Sequence, residues 1–243
     1  MEFMPEYAPL VVLAFLGSCF ALGVTGVVIV YGLARRKRRQ ILLGLAMALA
    51  GAGIYAGLLL VASFSSKERV LSLGEQKYFC EIDCHLAYSV VDVVTTRALG
   101  TPPNQVIAAG TFYVVSVKTW FDEKTISAHR GNATLAPNPR RVMVVDDAGR
   151  QFASLPEGSK AFELERRKLA PLTRPLRPGE SYVTELVFDL PGDAKNPQLL
   201  ITDADRITSL LIGHENSPFD KEIFFRLTSA ISRRGREPSQ THS

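Results

Sequence analysis

Two stretches of the chain, residues 8–34 and 41–64, are apolar at nearly every position and carry no charge. Each exceeds the roughly 20 apolar residues that a helix needs to cross a hydrocarbon core, so the pattern predicts two membrane-spanning helices. From residue 65 onward the pattern shortens. Apolar and β-branched runs at 78–95, 108–121, 142–145, 151–155, 182–190, 199–202, 209–212 and 223–227 are separated by turn signals. Asp146-Asp147-Ala148-Gly149 suits a hairpin with a late glycine, Leu176-Arg177-Pro178-Gly179-Glu180 is a second turn, and Pro191-Gly192-Asp193 closes the strand after it. Seven or eight short strands are expected. One helix is expected at 159–169, where Glu163 and Arg167 stand four apart and Pro171 follows. Many strands with almost no helix predict a two-sheet sandwich.

Charge divides the chain in the same places. The 28 Lys+Arg and 24 Asp+Glu give a net charge of +4. The N-terminal tail, residues 1–7, contributes −2 from Glu2 and Glu6, and the short connection 35–40 contributes +5 from Arg35, Arg36, Lys37, Arg38 and Arg39. The tail 233–243 adds +2, and its composition predicts disorder. Residues 65–232, with 20 basic and 21 acidic side chains, are near neutral. A nucleic-acid surface would put its positive charge on the folded domain, so nucleic acid is excluded as the expected partner. Five basic residues in one short loop mark that loop as cytoplasmic. Both ends of the hairpin then face outward, and residues 65–232 lie outside the cytoplasm, in a bacterial periplasm or at the cell surface. The first span has no basic n-region and about twice the apolar length of a signal peptide, which predicts a retained helix.

Small residues recur along the second span at Gly44, Ala48, Ala52 and Ala56, with Gly53 and Gly57 on an adjacent face. Such spacing lets helix backbones approach in lipid, either within the hairpin or against another membrane protein. Neither span contains Asp, Glu, Lys, Arg or His, which argues against a transport path.

Gly110-Thr111-Phe112-Tyr113-Val114-Val115-Ser116-Val117 resembles the central strand of bacterial membrane-anchored immunoglobulin-like domains of unknown function. Residues 144–152 resemble their hairpin, and Pro178-Gly179-Glu180 with 186–191 their late strand. The resemblance spans residues 75–228. It implies an all-β immunoglobulin-like sandwich and no established chemistry, so the expected fold is two transmembrane helices, read from the apolar runs, followed by that sandwich. Two spans in place of a lipidated cysteine depart from the family's pattern.

The segment Cys80-Glu81-Ile82-Asp83-Cys84-His85 is the candidate for chemistry. Two thiols and an imidazole are soft ligands suited to copper or zinc. The C-x-x-x-C spacing is similar to the cysteine loop of dinuclear copper sites in oxidase subunits, but Tyr88 and Val91 stand where that pattern has His and Met. If 79–90 is one regular strand, Cys80 and Cys84 lie about 13 Å apart at ~3.3 Å per residue, too far for a disulfide or a shared ion. Only a turn within 81–83 would bring them together. Buried apolar cysteines, a disulfide and a metal or redox site therefore all remain open. His214 is expected in a surface loop, where it could complete a site with Cys80, Cys84 and His85. Asp203 and Asp205 form an acidic pair, and Cys19 lies within the first span. No serine-hydrolase elbow, phosphate loop, dinucleotide fingerprint or H-E-x-x-H occurs. The expected protein is a non-catalytic one without a cofactor, anchored in the bacterial cytoplasmic membrane by lipid contact. It would bind another membrane or periplasmic protein, with copper binding or thiol redox chemistry as the alternative.

Overall fold

The computed structural model of the chain describes residues 8–81, 85–127, 129–156 and 170–227. The tail 1–7, the expected helix at 159–169 and the basic tail 233–243 lie outside them. Two long helices come first, α1 (Ala8–Ala34) and α2 (Arg38–Ser65). Nine strands follow among the described residues: β1 (Arg69–Leu71), β2 (Lys77–Cys80), β3 (His85–Leu99), β4 (Val106–Asp122), β5 (Arg140–Val145), β6 (Gln151–Ala153), β7 (Ser181–Leu190), β8 (Gln198–Asp203) and β9 (Ile223–Arg226). The chain divides into two compact units, Met1–Arg69 with Thr202–Ile223, and Val70–Ile201 with Phe224–Ser243.

In the first unit the helices pack on one another along a seven-residue repeat. The shielded positions on this repeat are Val11, Phe15, Ser18, Thr25, Ile29 and Gly32 of α1 and Ile41, Gly44, Ala48, Tyr55, Leu59 and Ala62 of α2, with Gly26, Gln40 and Ser63 shielded beside them. Three-four spacing of this kind aligns two nearly straight helices. A Cβ on Gly44 would stand 2.7 Å from Ile29 Cγ1 and 3.4 Å from the Thr25 carbonyl oxygen, so a larger residue here would force Ile29 to shift. The expected small-residue stripe departs from the seam after Ala48. Ala52, Gly53, Ala56 and Gly57 are exposed, and a Cβ added to Gly53 or Gly57 would meet no atom within 4 Å. The connection is also tighter than the expected six residues. Arg36 adopts a left-handed φ of 54°, Arg36 N donates to Leu33 O and Lys37 N to Gly32 O. This is a Schellman stop, and it lets Arg38 and Arg39 begin α2.

The strands form two sheets, ordered β1-β9-β8-β5-β6 and β2-β3-β4-β7. The long β3–β4–β7 ladder is antiparallel throughout, with register shifts in β3 between Val90 and Asp92 and between Thr96 and Ala98. Period-2 alternation predicts one buried face, yet β4 buries both. Val115, Val117, Thr119 and Phe121 are buried on one face and Phe112 and Val114 on the other. The second set clusters with Leu99 and Val187 beneath Val106, Ala108 and Leu155. Leu155 N donates to Val187 O, fixing that cover. The turn after β5 forms as the sequence predicts. Gly149 has a φ of +74°, and Asp146 Oδ1 accepts from Ala148 N and Arg150 N.

Two expected strands are corrected. The run 78–95 is not one strand but a hairpin, with β2 paired to β3 and Cys80 directly opposite His85. The run 209–212 is not a strand. Residues Arg206–Leu210 form a 3-10 helix that Asp205 caps by accepting from Ile207 N at 2.9 Å. An Asx cap competes with extended backbone and wins here.

Candidate functional site

The β2–β3 turn begins at Glu81, a carboxylate only 4% exposed. Sequence alternation puts Glu81 on a polar strand face. Instead the chain folds back at this residue and buries it. Three groups from the 129–140 region converge on it. Arg140 Nη2 donates at 2.6 Å, Asn138 donates from its backbone N and its Nδ2, and Arg130 adds positive charge. The Glu81 and Arg140 side chains are 3% and 1% exposed. The Arg140 guanidinium lies 4.2 Å from the centre of the Phe79 ring and 5.6 Å from that of Tyr88, and the two rings meet edge to face at 5.2 Å. Lys77, 5% exposed, stands 5.1 Å from the Phe79 ring and donates to Ile201 O at 2.6 Å, tying β2 to β8 in the other sheet. This end of the β domain is therefore held by a buried, aromatic-flanked ion pair linking residue 81 to residue 140.

Burial dominates the titration of this region. It holds the Glu81 carboxyl above the usual carboxylate range despite the opposing pull of Arg140, Asn138 and Arg130. Burial also raises the Tyr88 hydroxyl, against the pull of Arg140. It lowers the His85 imidazole, partly offset by Asp122, which favours the neutral ring.

Of the four candidate metal ligands, Cys80 and His85 are brought together, since cross-strand partners share a face. Cys80 is a free thiol and its Sγ donates to Glu81 O at 3.2 Å. Cys84 lies outside the described residues. The regular-strand geometry that separates Cys80 from Cys84 does not hold, because the chain turns between 80 and 85. Among the described residues no group of three or more His, Cys, Asp or Glu side chains is placed to hold a metal. Burial, then the Glu81 charge, pushes the Cys80 thiol up, which suppresses the thiolate that nucleophilic and metal chemistry needs. Alkylation of Cys80 in the folded chain, followed by peptide mapping, is expected to be slow at neutral pH. Its pH midpoint should lie above that of a free cysteine. Alkylation at the free-cysteine rate would contradict this.

His214 is not the exposed loop residue that the sequence suggests but is buried. Its Nδ1 accepts from Asn216 N at 3.1 Å, so Nε2 carries the proton toward Asp203 Oδ2 at 3.2 Å. Asn216 Nδ2 donates to Asp203 O and to Thr208 Oγ1, and Thr202 Oγ1 donates to Asn216 Oδ1. Asp203 and Asp205 thus brace and cap the 202–217 segment.

Glu81, Arg140, Arg130 and Lys77 are the site residues that sequence reasoning passes over. The signal for them was Lys77 at the head of an apolar run and Arg140-Arg141 at the mouth of a strand, since charged groups at core positions are rarely unpaired.

No protein-family model and no curated protein matches the chain. Among solved structures it is similar to the secreted protein MPT63 of Mycobacterium tuberculosis, at 11% identity over 67% of this chain and 99% of that one, with a TM-score of 0.41. A conserved hypothetical protein of Bacillus anthracis matches at 15% identity over 54% of this chain and 88% of that one, TM-score 0.39. The yjhA protein of Bacillus subtilis matches at 14% identity over 65% of this chain and 98% of that one, TM-score 0.39. Likenesses this distant carry no argument about function.

Proposed function

We propose that this chain is an integral protein of a bacterial cytoplasmic membrane whose two helices cross as a hairpin, with the 35–39 turn inside the cell. The β domain is an immunoglobulin-like sandwich outside the cytoplasm that binds a membrane or periplasmic protein, as an accessory subunit of a larger assembly. One observation carries the reading. The outward surface of the helices is apolar through residues 10–34 and 41–64, with Leu13, Phe20, Leu49, Ile54 and Val61 all exposed, while the only charges between the spans are five cations. So large an apolar surface is not stable in water, and the cations orient it. The exposed Gly53 and Gly57 leave one face of α2 open to a second helix.

Chemical crosslinking in native membranes, followed by purification of the full chain, is expected to recover a stoichiometric partner. Recovery as a lone monomer would overturn the accessory role. The copper alternative draws on the meeting of Cys80 and His85 across the turn. The raised Cys80 thiol weighs against it.

A further inference from the structure

The segment Thr202–Ile223 belongs to the same compact unit as the helices, and it lies along the last three turns of α2. The Tyr55 hydroxyl donates to the Leu210 carbonyl at 2.7 Å, Phe64 stacks on Phe219 at 5.5 Å with an interplanar angle of 16°, and Lys221 N donates to Ser66 Oγ at 2.8 Å. The segment is braced internally by the His214–Asp203 and Asn216 contacts described above. Yet it presents apolar side chains outward. In a 3-10 helix residues three apart share a face, so Ile207 and Leu210 project together, 59% and 50% exposed. Phe219 is 65% exposed and held at a φ of 66°. A bulky side chain in the left-handed region is strained, and the ring at this position is largely exposed.

The geometry points to outer-leaflet phospholipid as the occupant of this surface: Ile207, Leu210 and Phe219 form a foot seated at the glycerol–acyl boundary beside the hairpin. The inference rests on the membrane reading and deepens it. Its argument is depth and continuity. Counting from Ile41, the first residue past the basic turn, a hydrocarbon core of roughly 30 Å is spanned by about 20 residues and ends near Val61. Tyr55 then lies about 9 Å below the outer boundary, within the ~5–10 Å depth typical of interfacial elements. At that depth a free carbonyl is costly, and Tyr55 satisfies that of Leu210. Phe219 joins the apolar exterior of α2 through its stack on the exposed Phe64, and Arg206 at the head of the 3-10 helix is exposed and long enough to reach phosphate.

The test uses the full chain in phosphatidylcholine vesicles, with single tryptophans introduced as I207W, F219W and L49W. Fluorescence is compared with the parent, which carries only Trp120. Quenching is measured with lipids brominated near the glycerol or near the chain end. Trp at 207 and 219 is expected to be quenched several-fold more by the shallow bromines, and Trp at 49 more by the deep ones. Quenching at 49 with none at 207 and 219 would overturn the foot while leaving the hairpin reading intact. Equal deep quenching at all three would overturn the interfacial seat. No quenching at any position would overturn the membrane reading and the foot with it. The conservative F219W guards against a fold defect at 207.

Discussion

Replacing Arg140 with alanine is expected to destabilise the β domain by about 3–5 kcal/mol, because it removes the directly paired cation of the buried Glu81 carboxylate and leaves it only Asn138 and the charge of Arg130. The loss includes the stacking of the guanidinium on Phe79 and Tyr88. Denaturant unfolding of the full-length protein, followed by Trp120 fluorescence, measures it. Replacing both partners, E81L with R140L, is expected to recover most of the loss, since a well-packed apolar pair can match a buried ion pair. Two single losses that simply add would show that the pair does not couple. The pH dependence has a definite sign. Burial raises the Glu81 carboxyl in the folded state, so the fold holds that proton more tightly than the unfolded chain does. The contribution is fully present below the ordinary carboxylate value and is lost as pH rises through the folded one. Relative to E81Q, the parent should therefore lose stability as pH is raised through the carboxylate range.

The second large effect concerns orientation. An enzymatic reporter that is active only outside the cytoplasm, fused after Ser243, is expected to be active, and a fluorescent reporter that folds only inside is expected to stay dark. Neutralising Arg35, Arg36, Lys37, Arg38 and Arg39 and adding lysines to the tail that bears Glu2 and Glu6 should reverse a large fraction of molecules. The bias of lysine and arginine between short flanking segments sets which side each segment takes. A parent fusion that fluoresces inside the cell would overturn the topology, and with it the external partner.

Much of the architecture is legible in the chain because it depends on local pattern. The apolar runs delimit the helices to within a few residues of Ala8–Ala34 and Arg38–Ser65, and the turn at Asp146–Gly149 follows from an Asx bond and one glycine. Two local readings failed for identifiable reasons. Residues 209–212 look like a strand, but the carboxylate of Asp205 captures Ile207 N and winds the chain into a 3-10 helix. The small-residue stripe continues to Ala56, but the helices follow a seven-residue seam through Tyr55 and Leu59. A helix face is chosen by the partner that meets it.

The candidate site was the least legible part. Cys80 and His85 are conspicuous as residue types, yet their meeting depends on a chain reversal that an unbroken apolar alternation conceals. Glu81 gains its meaning only from Arg140, 59 positions away. By itself, the sequence determined two long apolar helices, a cationic bend between them and a β-rich remainder, because hydrophobic periodicity and charge act within one element. Only the tertiary structure decided the partner of Glu81, the burial of His214 and the seating of Leu210 on Tyr55. Desolvation and hydrogen bonding between distant segments are set by which segments meet, and no local pattern encodes that.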